Sequence, residues 1–377
     1  MSSSNLDRFD AFPERYIETQ EEFEAYADEV VARGDFTACS IDTEADSMHS
    51  YETKLCLIQF STPRELAIID PLAIGIEGLK RFSTFIDQFE KVWMHGADYD
   101  ISMFSMTFDW APHCIFDTQI AARLLGETKF GLANLLESEY GVKLSKQSQK
   151  ADWSRRPLSE KMLAYAFNDV RYLLDLGERF EQRLHEAGRY DWFIQTCDAA
   201  RDSVLERGGK SQKDTWRISG WGKLSPRGLN YLKFFWEWRD EECRMLDRPA
   251  FKFLGNNEMF RMVGDLDEGR GLRPPHYLKR PSLARLNEYI QRADEVPESD
   301  FPSKRVKSTG PRLDINEKRF DVIRGIRNRK AEELGVESTT IATRSVMERM
   351  SATNLEVEER LEGLLPWQRE VLAEAID

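Results

Sequence analysis

Apolar and polar residues change rhythm along the chain, and each change marks an element. Thr19-Gln-Glu-Glu22 has capping-box spacing, and Phe23, Tyr26 and Val30 follow at helical intervals until Gly34, which predicts a helix between them. Phe36 to Glu44 then reads as a short β-branched and apolar strand ending in two acids, Asp42 and Glu44, separated by Thr43. Strand side chains alternate faces, so extended backbone through Thr43 puts both carboxylates on one side. Such a pair serves equally as turn chemistry or as half of a hard-cation site. After a polar turn, Lys54 to Phe60 and Leu66 to Asp70 read as two more strands. Their short connections predict an antiparallel meander.

The rhythm then lengthens. A helix is expected at about Ile76 to Phe89, a strand over Lys91 to His95, and a helix from about Asp98. A brief strand near Cys114 to Phe116 precedes helices over Thr118 to Leu125 and Leu132 to Tyr140. Ser159 to Ala187 carries an apolar stripe through Leu163, Ala166, Phe167, Val170, Leu173 and Leu174, which predicts one long helix. Strand–helix alternation after a meander implies an α/β domain, a mixed sheet with helices on its faces. Past Cys197 no convincing strand appears. The expected domains are residues 1–200, a helical unit at 215–296, a linker at 297–312 and a second helical unit at 313–377.

Composition narrows the chemistry. The chain has 377 residues, 41% of them apolar, enough for more than one buried core. No leader-like or membrane-length apolar run occurs, so a cytoplasmic protein without a membrane partner is expected. The five cysteines are far apart and form no Cys-x-x-Cys pair, which supports neither a disulfide framework nor a zinc site. A net charge of −13 argues against coating nucleic acid through the global field, while leaving room for an acidic, metal-loaded pocket with local basic patches. Gly209-Lys210-Ser211 suggests a phosphate loop, but that motif needs glycine at position 204, which is Val204, so no ATP site is expected.

Two further acidic segments change the weight of the first. In His95-Gly-Ala-Asp-Tyr-Asp100, Asp98 is placed to cap a helix and Asp100 to face the end of the first strand, or simply to stabilise the helix start. His95 is expected to be a packed strand-end residue, because a magnesium-type site prefers oxygen. Tyr165 and Asp169 stand one helical turn apart on one face. Four carboxylates in one cleft would repel one another unless cations neutralise them, and two divalent ions about 3.5–4 Å apart are a known arrangement for phosphoryl transfer.

Asp42-Thr-Glu44, His95 to Asp100 and Tyr165 to Leu173 resemble the three exonuclease motifs of the DEDD superfamily, Tyr subtype. Ala151 to Glu160 is similar to the ribonuclease D family in particular. Leu224 to Leu229, Phe235 to Asp240 and Leu246 to Pro249 resemble the helical HRDC module, and Phe320 to Arg369 looks like a second, more divergent copy. The resemblance implies a ribonuclease H-like fold followed by all-α domains, and stepwise 3′-to-5′ hydrolysis of RNA, with transfer-RNA precursors as the expected partner. It implies two divalent cations, Mg²⁺ or Mn²⁺. Asp42 would bridge them, Glu44 and Asp169 would complete one shell, Asp100 would hold the other ion, and Tyr165 would orient the attacking water. Lys223, Arg227, Lys233, Arg239 and Arg244, interleaved with Trp236 and Trp238, are candidate contacts for phosphates and bases; the alternative is a solvated helix face over a tryptophan core. Two rivals remain: a DNA 3′-exonuclease, and an inactive nucleic-acid-binding scaffold. The scaffold's signature, a lost carboxylate or Tyr, is absent.

Overall fold

Thr19 and Glu22 exchange backbone and side-chain hydrogen bonds, so helix α1 (Gln20–Arg33) starts where its capping box places it, and Gly34 closes it at φ 67°. The computed structural model describes residues 7–34, 36–145, 147–208, 215–304 and 312–376. Gly209-Lys210-Ser211 and part of the expected linker lie outside the described residues.

Strands β2 (Cys39–Ala45), β3 (Leu55–Ser61) and β4 (Leu66–Ile69) form the expected antiparallel meander. Strand β5 (Val92–Met94) runs parallel to β2, and β6 (Ile115–Asp117) parallel to β5. Strand β1 (Glu14–Ile17), which pairs parallel with β4, leaves no mark in the sequence pattern; four residues in a polar stretch show too little alternation. The sheet order is β1-β4-β3-β2-β5-β6, a mixed sheet as expected.

Both faces of β3 are buried. Ile58 and Phe60 point into a core with Phe23, Phe82 and Phe104, while Leu57 points with Ile68 toward Trp153, Ala166 and Val170. In register, Asp42 opposes Gln59 and Glu44 opposes Leu57, so the two acids share the second face.

Helices α2 (Asp98–Phe108), α3 (Thr118–Leu124) and α4 (Leu132–Tyr140) follow the strands. The helix expected over Ile76 to Phe89 is two short pieces, Glu77–Leu79 and Phe82–Ile86, preceded by a helical turn at Pro71–Ile74 that Gly75 closes at φ 79°. The long helix expected from Ser159 is two, α5 (Glu160–Arg171) and α6 (Leu173–Glu186). They part at Tyr172, whose ring packs 4.8 Å from Phe9 and 5.5 Å from Tyr140. Helix α7 (Tyr190–Gly208) completes the series.

The chain divides into two compact units. The first is Met1–Ala45, Leu55–Gly209 and Pro311–Asp377; the second is Asp46–Lys54 and Lys210–Gly310. This redraws two expected boundaries. The last helices, expected as a unit of their own from 313, share a core with the sheet-bearing part of the chain: Phe320, Ile323, Met347 and Trp367 lie in one cluster with Phe180, Leu184 and Phe193. Trp367 stacks on Trp192 at 4.8 Å and donates to Thr196. Arg189 donates to the carbonyls of both Leu124 and Leu334. The approach is so close that a Cβ on Gly126 would stand 2.2 Å from the Gly335 oxygen.

In the second unit, α8 (Pro226–Leu246), α9 (Asn256–Asp267) and α10 (Arg280–Asp294) enclose Leu232, Phe235, Trp238, Met259, Met262 and Leu286. Residues 46–54, which connect β2 to β3, belong here because the Tyr51 amide donates to Asp247 and its hydroxyl to Asp240. Among the described residues no helix is long and apolar enough to cross a membrane.

Candidate active site

Parallel β2 and β5 bring their carboxyl ends to the same edge of the sheet. Asp42 and Glu44 stand at the end of β2, and a register shift after Glu44 ends its regular pairing. At the end of β5, Gly96 takes φ 68° and turns the chain directly into α2. That turn is held by Asp117, whose carboxylate accepts the Gly96 and Ala97 amides at 2.9 Å and also caps α3. Asp100 therefore enters from the first turn of α2, buried, and accepts a hydrogen bond from Thr43. Asp98 is not the helix cap; Ala97 takes that place, and Asp98 pairs with Arg207 at 3.0 Å. His95 packs at the strand end with Nδ1 2.9 Å from Thr118 Oγ1, and burial holds its pKa down.

The third segment arrives on α5, which packs over the face of the sheet that bears the two strand acids. Tyr165 and Asp169 lie one turn apart on it and are hydrogen-bonded to each other. The helix is set by the stretch before it. Trp153, buried, places its ring 5.9 Å from that of Tyr165. Arg156 donates to Asp70 at 2.7 Å, to the Cys56 carbonyl at 2.9 Å and to the Trp153 carbonyl at 2.7 Å, and Tyr16 donates to the same aspartate.

The electrostatics show that the acids sense one another. Burial pushes the Glu44 carboxyl up to about 10, with Asp42, Asp169 and Asp100 adding to the rise. Burial also raises Asp42, Asp100 and Asp169, and the Asp42 charge raises the last two further. Tyr165 is driven above its ordinary value by burial, then by Asp169, Glu44 and Asp42. Among the described residues, the charges that shift the four acids are those of other acids. Among the described residues no three or more His, Cys, Asp or Glu side chains are grouped as they would be to hold a metal ion. The chemistry of the donor set, carboxylate oxygens drawn from three segments, nevertheless suits hard divalent cations. A cavity of about 240 Å³, lined by Ser148, Lys161 and Asn168, reaches Tyr165 and Asp169.

Sequence reasoning misses three residues around this cluster. Thr43 reads there only as a spacer. Asp117 is legible as an Asp before a helix, but its grip on the Gly96 turn requires the fold. Gln59 faces Asp42 across β2 and β3, fully buried, with neither side-chain nitrogen nor oxygen partnered among the described residues. Its only signal is a lone amide in an apolar run.

The expected nucleic-acid contacts all lie in the second unit and do not behave alike. Lys223 and Lys233 are exposed. Arg227 donates to Tyr231, and Arg244 to Asp240. Arg239 is corrected: it is buried and its guanidinium donates to Leu254 and Asn256, which makes it a core residue. Trp238 is likewise core, donating to the Ser282 carbonyl, and Trp236 is half-buried.

Comparison with known proteins agrees with this arrangement. The profile of a 3′-5′ exonuclease family matches residues 15–185. The chain is 29% identical to ribonuclease D of Gluconacetobacter diazotrophicus over 281 residues, covering 72% of this chain and 71% of that one. It is 34% identical to ribonuclease D of Xanthomonas oryzae pv. oryzae over 219 residues, 57% of this chain and 59% of that one. Among solved structures it is similar to Escherichia coli RNase D, with a TM-score of 0.70, 25% identity and 96% of each chain covered.

Proposed function

We propose that the chain is a ribonuclease D-like DEDD exonuclease that removes nucleotides one at a time from the 3′ end of RNA in the cytoplasm, with transfer-RNA precursors among its substrates. What supports the reading is that Asp42, Glu44, Asp100 and Asp169 are buried beside Tyr165 and raise one another's pKa. The Escherichia coli relative, an exoribonuclease involved in structured RNA processing, supports RNA as the polymer.

In this reading the four carboxylates hold two divalent cations, Mg²⁺ or Mn²⁺. When bound, the cations supply charge neutralisation and Lewis-acid activation at the scissile phosphate. Thr43 fixes the Asp100 carboxylate, and the Asp117-braced turn fixes the start of α2. Tyr165 keeps its proton, because burial and the neighbouring acids raise its pKa, so it positions the attacking water by hydrogen bonding and does not act as the base. Trp153 keeps the phenol ring in place.

The test is hydrolysis of 3′-labelled RNA in Mg²⁺ or Mn²⁺, alongside matched DNA. Asp42→Asn is expected to abolish release of mononucleotides. Tyr165→Phe should leave weak turnover with cation binding nearly intact. Undiminished cleavage by Asp42→Asn, or a preference for the DNA strand, overturns the assignment.

A further inference from the structure

The second unit contains a cavity of its own, about 400 Å³ in volume. Four cationic side chains line it, Arg248, Lys252, Lys279 and Arg285, against one carboxylate, Glu242. In a chain of net charge −13, four cations on one concave surface are a local reversal of sign. Glu242 is buried and pairs with Arg285, while Arg248 and Lys279 are exposed with no acidic partner among the described residues.

The wall between them is built for an anion. Helix α10 is 15 residues long and starts at this cavity with Lys279 as its cap residue, and no side chain satisfies its first amides. Pro281 has no N–H and the Leu283 amide bonds the Lys279 carbonyl, so this helix start presents the Arg280 and Ser282 amides and the positive end of the macrodipole. Ser282, in the first turn, lines the same cavity. Its hydroxyl is buried and has no hydrogen-bond partner among the described residues, although burying such a group unsatisfied is unfavourable. Tyr277, 52% exposed as a residue, completes the lining and sets an aromatic side chain beside the cations.

We propose that this cavity is a nucleotide subsite for the RNA strand: a phosphate bound by the α10 amides, the Ser282 hydroxyl, Arg248 and Lys279, with the adjoining base stacked on Tyr277. The proposal rests on the reading of the chain as an RNA exonuclease and adds a binding site outside the carboxylate cluster. It stands beside the exposed Lys223 and Lys233 as a binding surface in this unit, whereas Arg227 and Arg244 are bonded to neighbours and Arg239 is core.

Binding is measured by fluorescence anisotropy of 5′-labelled single-stranded RNA on full-length Asp42→Asn protein across a salt series. Arg248→Ala with Lys279→Ala is expected to weaken binding about tenfold and to reduce the salt slope by roughly 0.7 for each phosphate no longer held. Tyr277→Ala should weaken it about tenfold, as loss of one stacked base does, and Tyr277→Phe should restore it. Ser282→Ala should weaken binding with its melting temperature unchanged or higher. Unchanged affinity and slope in the cation variant, or no rescue by Tyr277→Phe, overturns the subsite. Displacement of the RNA by inorganic phosphate as readily as by a mononucleotide overturns the stacking of a base on Tyr277. Cleavage of RNA by the otherwise unaltered chain is scored separately: its absence defeats the nuclease reading, whereas its presence with unaltered binding in the variants defeats only the subsite.

Discussion

Gln59 shows how a site can run against local stability. An amide fully buried opposite Asp42 with no partner among the described residues carries a desolvation cost that a leucine would not. Gln59→Leu is expected to raise the melting temperature of the metal-free chain, by removing roughly 1–3 kcal/mol of unmet burial, and to lower exonuclease turnover in the same preparation. Unchanged turnover would make Gln59 a packing residue only. The acids themselves give a signed dependence on pH. Burial first, then mutual repulsion, raises Glu44 to about 10 and lifts Asp100 and Asp169 as well, so the folded state holds protons that the unfolded chain has released above about pH 4. Their stabilisation is present below that pH and lost as the pH climbs toward the folded values. Calorimetry of the metal-free chain should show its melting temperature falling from about pH 5 to about pH 9, and saturating Mg²⁺ should flatten the slope. At this scale the sequence is informative where spacing alone suffices: period two aligns Asp42 with Glu44, and period 3.6 aligns Tyr165 with Asp169. It is silent on Thr43 and Gln59, whose roles depend on strand register.

At the scale of elements, the site depends on how α5 is anchored. Asp70 is buried; burial alone would raise its carboxyl, but hydrogen bonds from Arg156 and Tyr16 outweigh that and hold it below its ordinary value. The same group ties β4 to the segment that enters α5. Removing one partner leaves an uncompensated buried charge, so Arg156→Leu is expected to cost about 3–5 kcal/mol by denaturant unfolding and to reduce turnover through displaced Tyr165. The sign for Asp70 is opposite to that of the site acids: its contribution is present above about pH 4 and lost as the pH falls through the folded value. The strands of the meander and α1 are legible because alternation and a capping box act locally. The break at Tyr172 is not, since no glycine or proline marks it and the cause is packing against Phe9 and Tyr140.

For the whole molecule, composition separates strand-bearing from helical sequence correctly, yet it cannot tell which helices share a core. The last helices look like a module of their own by periodicity, but Trp367, Phe320 and Met347 are packed with Phe180 and Phe193. Trp367→Ala should therefore cost roughly 3–5 kcal/mol, read as a lower melting temperature of the catalytic unit together with lost activity. An effect confined to local unfolding of the last helices, with activity intact, would contradict the shared core.

Sharing a core across such a span of chain bears on how the protein is made. A ribosome that has delivered residues through Asp169 has already produced every acid of the cluster, yet the nascent chain still lacks the tryptophan stack that finishes the same hydrophobic interior. Polypeptides released early would be born with the cutting residues but without the packing that steadies them.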